Sequence, residues 1–431
     1  VGEQPGSSEQ AAAARPAAQR DALSLYLHIP FCRHRCGYCD FNTYAGLAEL
    51  QAPYVQALVR EIEQVAAAAP APLAVATVFF GGGTPSLLAL AQLGDVLAAL
   101  RRSFALAPDC EITLEANPGT VDARYLEGLV ALGVNRISFG VQSAQPDELA
   151  LLERQHSFAE AAEAVAQARR AGFSALGGIN IDLIFGLPGQ SLASWQATLA
   201  RGLALEPEHI SLYCLTLEAG TRLYGQVLRG EVARPDDDLA ADQYLYTEER
   251  LAAAGFEHYE ISNWARPSRA CRHNLVYWRN QAYLGLGAGA HGSYGSWRYS
   301  NVLRPRRYIA RLSAAPATET QAAEADTTAA RAADGRFPFS PALAQREAVT
   351  PAGAMDETMM LGLRLLDEGV GYAAFAARHG ADLRAVYAAE LEEGKRLGLL
   401  ERGPERVRLT PQGHLLGNKA FALFLRGDGS G

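Results

Sequence analysis

The chain has 431 residues, 49% of them apolar and 20% charged, the make-up of a globular protein with enough apolar side chains for two or three domains. Its net charge of −8 speaks against a broad nucleic-acid-binding surface. No apolar run reaches the roughly 18 residues that would predict a membrane span.

Residues 1–22 are rich in Ala, Gln, Ser and Pro, and Glu3 and Glu9 do not suit a transit peptide; the segment reads as a disordered tail. From Leu23 short apolar runs alternate with amphipathic ones. Strands are expected at Leu23–Ile29, Ala76–Phe80, Glu111–Glu115, Arg136–Gly140, Asn180–Ile184 and His209–Tyr213. Helices are expected at Tyr54–Ala68, Leu90–Ser103, Asp122–Leu132, Phe158–Ala171 and Leu192–Leu203. This βα rhythm predicts a parallel sheet with helical crossovers. The expected fold class is α/β, a partial TIM-type (β/α)6 barrel with functional loops at the C-terminal ends of its strands. A doubly wound open sheet is the alternative.

After Tyr224 the rhythm fades into aromatic and Gly-rich segments that extend the sheet or cover its mouth, so the barrel with its extension is bounded at 23–312. Residues 313–346, rich in Ala, Thr, Glu and Pro, read as a flexible insertion or linker. In 347–431, helices near Asp356–Leu366, Gly371–His379 and Leu383–Leu397 precede a strand pair around Leu400–Leu409 and a last helix, Pro411–Leu425. That order predicts a winged-helix-like C-terminal domain. Its mixed charge favours packing or a protein partner over nucleic acid, and a homodimer is compatible with such packing.

Three of the six cysteines, Cys32, Cys36 and Cys39, crowd into a CxxxCxxC loop after the first strand. Disulfides pair poorly at that spacing, and a long acidic chain with no secretory signal reads as cytoplasmic, where such a cluster means metal. Three thiolates can hold three irons of a cubane and leave the fourth open. Arg33 and Arg35 would offset the cluster's negative charge. Zinc is the competing metal and wants a fourth ligand; His28 and His34 are near enough in sequence to supply it. The run Gly81-Gly82-Gly83-Thr84-Pro85 follows the second strand, where glycines either admit a ligand to the backbone or only make a turn.

Together these motifs resemble the radical S-adenosylmethionine superfamily. The resemblance extends to its oxygen-independent coproporphyrinogen III oxidase-like (HemN-like) family through YLHIPFC (Tyr26–Cys32), FGGGTPS (Phe80–Ser86), LEANPGT (Leu114–Thr120), RISFGVQS (Arg136–Ser143), LLERQHS (Leu151–Ser157) and IDLIFGLPGQ (Ile181–Gln190). It implies a [4Fe-4S] cluster and S-adenosyl-L-methionine, with Tyr26, Tyr38, Gly82, Gly83, Thr84, Glu115, Gln142, Arg154 and Asp182 lining the latter's site. Glu115 and Asp182 are expected at strand ends, at the barrel mouth.

Two features divide this family. Its decarboxylating members resemble CxxxCxxCxC, and here Phe41 stands at the fourth cysteine. His273-Asn274-Leu275-Val276-Tyr277-Trp278 resembles the HNxxYW motif of the haem-chaperone branch. His273 and Tyr277, four apart, share one face on a helix or a strand, and an imidazole beside aromatics can ligate haem iron; an aromatic packing cluster is the other reading. His291, in GLGAGAHG (Gly285–Gly292), is a second haem candidate. The resemblance implies a haem b chaperone serving apo-haemoproteins, membrane-bound respiratory cytochromes among them, with porphyrin-biosynthetic decarboxylation as the alternative.

Overall fold

A computed structural model describes residues 22–313 and 337–425. The expected alternation is present, and three of the crossover helices begin at a side-chain cap. The parallel strands are β1 (Leu23–Ile29), β2 (Ala74–Gly82), β3 (Ala105–Ala116), β4 (Arg136–Gln142), β5 (Gly178–Phe185) and β6 (His209–Cys214). The crossover helices are α1 (Gln51–Ala67), α2 (Leu90–Ser103), α3 (Ala123–Ala131), α4 (Phe158–Arg170) and α5 (Leu192–Leu203). Asp122 and Ser191 cap α3 and α5, and Ser157 with Glu160 forms a capping box on α4; each cap is worth about 1 kcal/mol.

Each of β1 to β6 pairs in parallel with the next, as right-handed helical crossovers require. Leu25, Leu27, Ile137, Phe139, Ile179 and Ile181 are fully buried between strands and helices, each such side chain contributing about 1.5–3 kcal/mol. The later segments extend both edges of the sheet. Strand Tyr283–Leu286 adds in parallel to β1, followed by antiparallel His291–Tyr294, Trp297–Asn301 and Leu343–Ala348. At the other edge Asn263–Ala265 pairs antiparallel with β6, and Glu257–Glu260 follows it. The sheet of the described residues has 12 strands.

Strand Leu343–Ala348 begins inside the segment read as insertion or linker and runs past its bound at 346. Its side chains are mostly exposed, so it carries no alternating apolar signal. Residues 314–336 of that segment, and the tail to residue 21, lie outside the described residues.

The C-terminal part has its own apolar core, with Met359, Leu363, Phe375, Tyr387, Leu391 and Phe424 fully buried. Helix Pro351–Gly362 starts earlier than expected, at a Thr350 cap. The expected helix Leu383–Leu397 is split into Leu383–Val386 and Ala388–Arg396, and the last into Pro411–Leu415 and Gly417–Ala422. Strands Val370–Gly371, Arg406–Leu409 and Leu400–Arg402 form a small sheet. Ion pairs Arg298–Glu357 at 2.6 Å and Arg364–Glu260 at 3.2 Å tie this part to the larger sheet.

Candidate functional site

The loop from Cys32 to Cys39 leaves the C-terminal end of β1 and is fixed from below. Gly83 and Thr84 donate their N–H groups to the carbonyls of Ile29 and Phe31, at 2.9 and 2.8 Å. A side chain at Gly83 would place its Cβ 2.7 Å from both carbonyl oxygens, and one at Gly82 would enter the His28 ring at 2.3 Å. Gly82 also has a φ of +105°, which favours glycine. The glycine run is therefore required by the approach of β2 to the cysteine loop.

The three cysteines are free and partly buried. Burial pushes the Cys32 thiol up, and the neighbouring Cys39 and Cys36 add to that shift. The sulfurs have polar neighbours: Thr84 Oγ1 is 3.6 Å from Cys32, Arg154 Nη1 is 3.5 Å from Cys36, and Thr43 Oγ1 is 3.9 Å from Cys39. The cation hydrogen-bonded to a thiol is thus Arg154. Of the two arginines expected to offset the thiolates, Arg35 does favour the Cys39 thiolate by its charge while donating to the Phe41 carbonyl at 3.4 Å, and Arg33 donates to the Gly119 carbonyl at 3.0 Å. The two histidines considered for zinc are engaged elsewhere. His28 contacts Tyr26 Oη and the Asn42 carbonyl, both at 3.0 Å, and His34 contacts Glu153 Oε2 at 3.1 Å. The donor set is three thiols beside a guanidinium, which suits an anionic iron–sulfur cluster better than a four-ligand zinc site.

Beside this loop a cavity of about 190 Å³ is lined by Tyr26, Glu115, Arg136, Asp182, His273 and Tyr277, among others. Glu115 Oε2 accepts the Gly82 N–H at 3.0 Å. Burial, and then the charge of Asp182, raise its carboxyl to about 8. Asp182 sits inside β5 rather than at its end, held by Asn180 Nδ2 at 2.7 Å and Ser138 Oγ at 3.1 Å. Arg136, 2% exposed, is the cavity's buried cation, a role that the motif RISFGVQS did not reveal. Gln142 adopts a φ of +70°, a strained conformation of the kind that clusters at functional sites. Its buried Oε1 has no hydrogen-bond partner among the described residues. Arg154 Nη2 donates to the Gly140 carbonyl at 2.7 Å. Tyr38 is packed beside it and also feels Cys36.

His273 and Tyr277 share one face of helix Arg272–Trp278, as their spacing predicts. Glu111 caps this helix, accepting the N–H groups of Arg272 and His273 at 2.9 Å each. Thr77 donates its hydroxyl to Ser24 and so accepts from His273 Nδ1 at 2.7 Å. The His273 proton therefore sits on Nδ1, and Nε2 accepts from the Tyr277 hydroxyl at 2.9 Å. Burial drives the His273 pKa down to about 3, so the ring is neutral. It stacks on Phe79, with ring centroids 5.1 Å apart. Trp278 lies under Arg364 of the C-terminal part at 4.2 Å.

Tyr277 also borders a second cavity, of about 310 Å³, with Tyr283, His291, Arg298 and Met360. His291 is exposed there, whereas His273 is 1% exposed. The GLGAGAH loop is pinned to α1 and to the cysteine loop. Glu61 accepts the Gly287 N–H at 2.7 Å, and Tyr54 Oη accepts the Ala288 N–H at 2.8 Å. Asn42 Nδ2 donates to the carbonyls of Ala288 and Leu303, at 3.1 and 3.0 Å.

Six successive parallel strands that carry a three-cysteine loop, a glycine run and a buried acidic cavity define a radical S-adenosylmethionine protein. The model of that superfamily matches residues 26–201, and the model of the HemN C-terminal domain matches 349–416. Heme chaperone HemW of Mycobacterium tuberculosis is 38% identical over 94% of this chain and 95% of its own length. Heme chaperone HemW of Bacillus subtilis is 35% identical over 93% and 99%. The chain belongs to the Heme chaperone HemW family. Among solved structures, the coproporphyrinogen III oxidase HemN of Escherichia coli shares the fold, with a TM-score of 0.75 and 24% identity over 94% of this chain and 90% of that one.

Proposed function

We propose that this protein is a haem chaperone that holds a [4Fe-4S] cluster on Cys32, Cys36 and Cys39, binds S-adenosyl-L-methionine beside it, and passes haem b to apo-haemoproteins. The observation that carries the reading is its likeness, over nearly the whole chain, to relatives named as haem chaperones. When bound, the cluster supplies one open iron for the methionine amino and carboxylate groups. Around it, Arg154 offsets the thiolates and can pair with a carboxylate. The unpartnered Gln142 Oε1 offers an acceptor, as do Glu115 and Asp182 for hydroxyl groups. Tyr26, Tyr38, Gly82, Gly83 and Thr84 complete the wall. Six free cysteines suit a reducing, cytoplasmic setting. No described helix is long and apolar enough to cross a membrane, so membrane-bound cytochromes would be met as partners.

Haem in this reading occupies the larger cavity, whose volume falls in the roughly 300–1,000 Å³ range of cofactor sites. The exposed His291 offers a ring nitrogen, and Arg298 would meet a propionate only by giving up Glu357, its partner at 2.6 Å in the same cavity. His273 could ligate iron only by giving up the Tyr277 hydroxyl. We also infer a barrel unit over 23–312 and a winged-helix-like domain over 347–431 that packs or meets protein partners, including a second copy, rather than nucleic acid. Its separate core and small sheet support that division.

Decarboxylation of coproporphyrinogen III is the second reading, favoured by the backbone shared with the Escherichia coli oxidase. Phe41, 64% exposed where those enzymes resemble a fourth cysteine, stands against it. One preparation tests both. After anaerobic reconstitution with iron and sulfide, haem titration should saturate at one equivalent, His291→Ala should lose at least about tenfold in affinity, and His273→Ala should keep binding. The reverse order of the two variants returns the ligand to His273. Absence of saturable haem binding, or vinyl-bearing product from coproporphyrinogen III, overturns the chaperone reading.

A further inference from the structure

Three side chains from three elements converge where the C-terminal part meets the outer strands, away from the cysteine loop. Glu248 projects from helix Asp237–Ala253, His258 from strand Glu257–Glu260 and His414 from helix Pro411–Leu415. One ligand atom of each lies within 4.8 Å of the other two. Glu248 Oε1 is 3.1 Å from His258 Nδ1 and 2.9 Å from His414 Nδ1. Both imidazoles are 16% exposed and the carboxylate 23%, a setting sheltered from water yet reachable by an ion.

The protonation of His258 points to a cation at this convergence. Its Nε2 lies 3.3 Å from the Ile261 carbonyl oxygen, which can only accept. The Tyr244 hydroxyl, 3.4 Å from the same nitrogen, already donates its proton to that carbonyl at 3.0 Å. Nε2 therefore carries the hydrogen, and a neutral ring presents a lone pair at Nδ1. That lone pair faces a carboxylate oxygen, so two acceptors oppose each other unless a proton or a metal ion lies between them. A backbone carbonyl on the remote nitrogen is the arrangement that fixes metal-ligating histidines. The His258 ring is also held flat against Trp264, with centroids 3.9 Å apart and planes 11° from parallel. Tetrahedral zinc, with metal–nitrogen bonds of about 2.0–2.1 Å, spaces its ligand atoms roughly 3.3 Å apart, a few tenths of an ångström from the two Glu248–histidine spacings.

We propose that Glu248, His258 and His414 form a binding site for a divalent cation, zinc by ligand type, that fastens the C-terminal part to the outer strands. Water completes the fourth position. The site is independent of the cysteine loop and of haem.

The test uses the full-length protein with its iron–sulfur cluster reconstituted, so that the cysteines are taken, passed over a chelating resin and dialysed anaerobically against zinc chloride. One zinc per chain should remain, and X-ray absorption at the zinc edge should show nitrogen and oxygen neighbours without sulfur. Glu248→Gln and His414→Gln should each weaken zinc binding by more than the roughly 10–100-fold that loss of an outer-shell partner costs. Retention of no zinc by the wild type, sulfur in the zinc shell, or unchanged affinity in both variants overturns the proposal. The absorption measurement needs no variant, so a variant that fails to fold leaves the test intact.

Discussion

Glu115 and Asp182 place two carboxyls in one cavity, where burial raises both, and the shift at Glu115 has a measurable consequence. Asp182 has hydrogen-bond donors in Asn180 and Ser138, whereas Glu115 has the Gly82 N–H. Burial first, and Asp182 second, raise Glu115 from an ordinary 4.5 to about 8. Between those two values the folded cofactor-free chain holds a proton that the unfolded chain has released. The contribution to stability is thus complete below the unfolded value and is lost as pH rises through the folded one. Denaturant melts of the cofactor-free protein should find Glu115→Gln gaining on wild type from about pH 5 to about pH 8 and levelling off above that. A stability difference flat over that range would mean that Glu115 ionises normally. A cationic sulfonium ligand would favour the ionised form, so its binding should release a proton near neutral pH.

At the scale of elements, the join between β2 and the cysteine loop carries the site. A methyl group at Gly83 meets two carbonyl oxygens at 2.7 Å, and relief must come from moving the loop that bears Cys32. Gly83→Ala should cost about 1–3 kcal/mol and retain less iron after reconstitution than Gly371→Ala, a position of φ −76° where an added Cβ meets nothing nearer than 3.8 Å. Equal iron contents in the two variants would refute the steric account. The βα alternation was legible because apolar periodicity is local, and caps such as Ser157 mark starts within a few residues. The cysteine loop, the glycine run and the shared face of His273 and Tyr277 were legible for the same reason. What escaped were pairings across the chain. Arg154 hydrogen-bonds the Cys36 thiol, Glu111 caps a helix more than 150 residues later, and Glu61 holds the GLGAGAH loop. Strand Leu343–Ala348 escaped because an exposed edge strand has no buried face to pattern.

At the scale of the whole molecule, the cysteine loop and the loop that ends at His291 are not independent bodies. Asn42, three residues after Cys39, clasps Ala288 and Leu303 with its amide and receives His28 on its carbonyl. Whatever stabilises one loop conformation therefore acts on the other, and thermodynamic linkage makes the effect mutual. If cluster assembly tightens haem binding, haem must protect the cluster by the same factor, within the roughly 5–150-fold span of such couplings. Haem affinity measured with and without cluster, beside the equilibrium iron retained against a chelator with and without haem, should close one cycle. Asn42→Ala should open it, and equal haem affinities in the wild type's two states would show that no coupling exists. Were that cycle to close, maturation and loading would be one event: a chain without its cluster would be a poor holder of haem, and cargo would not be committed to an unfinished carrier.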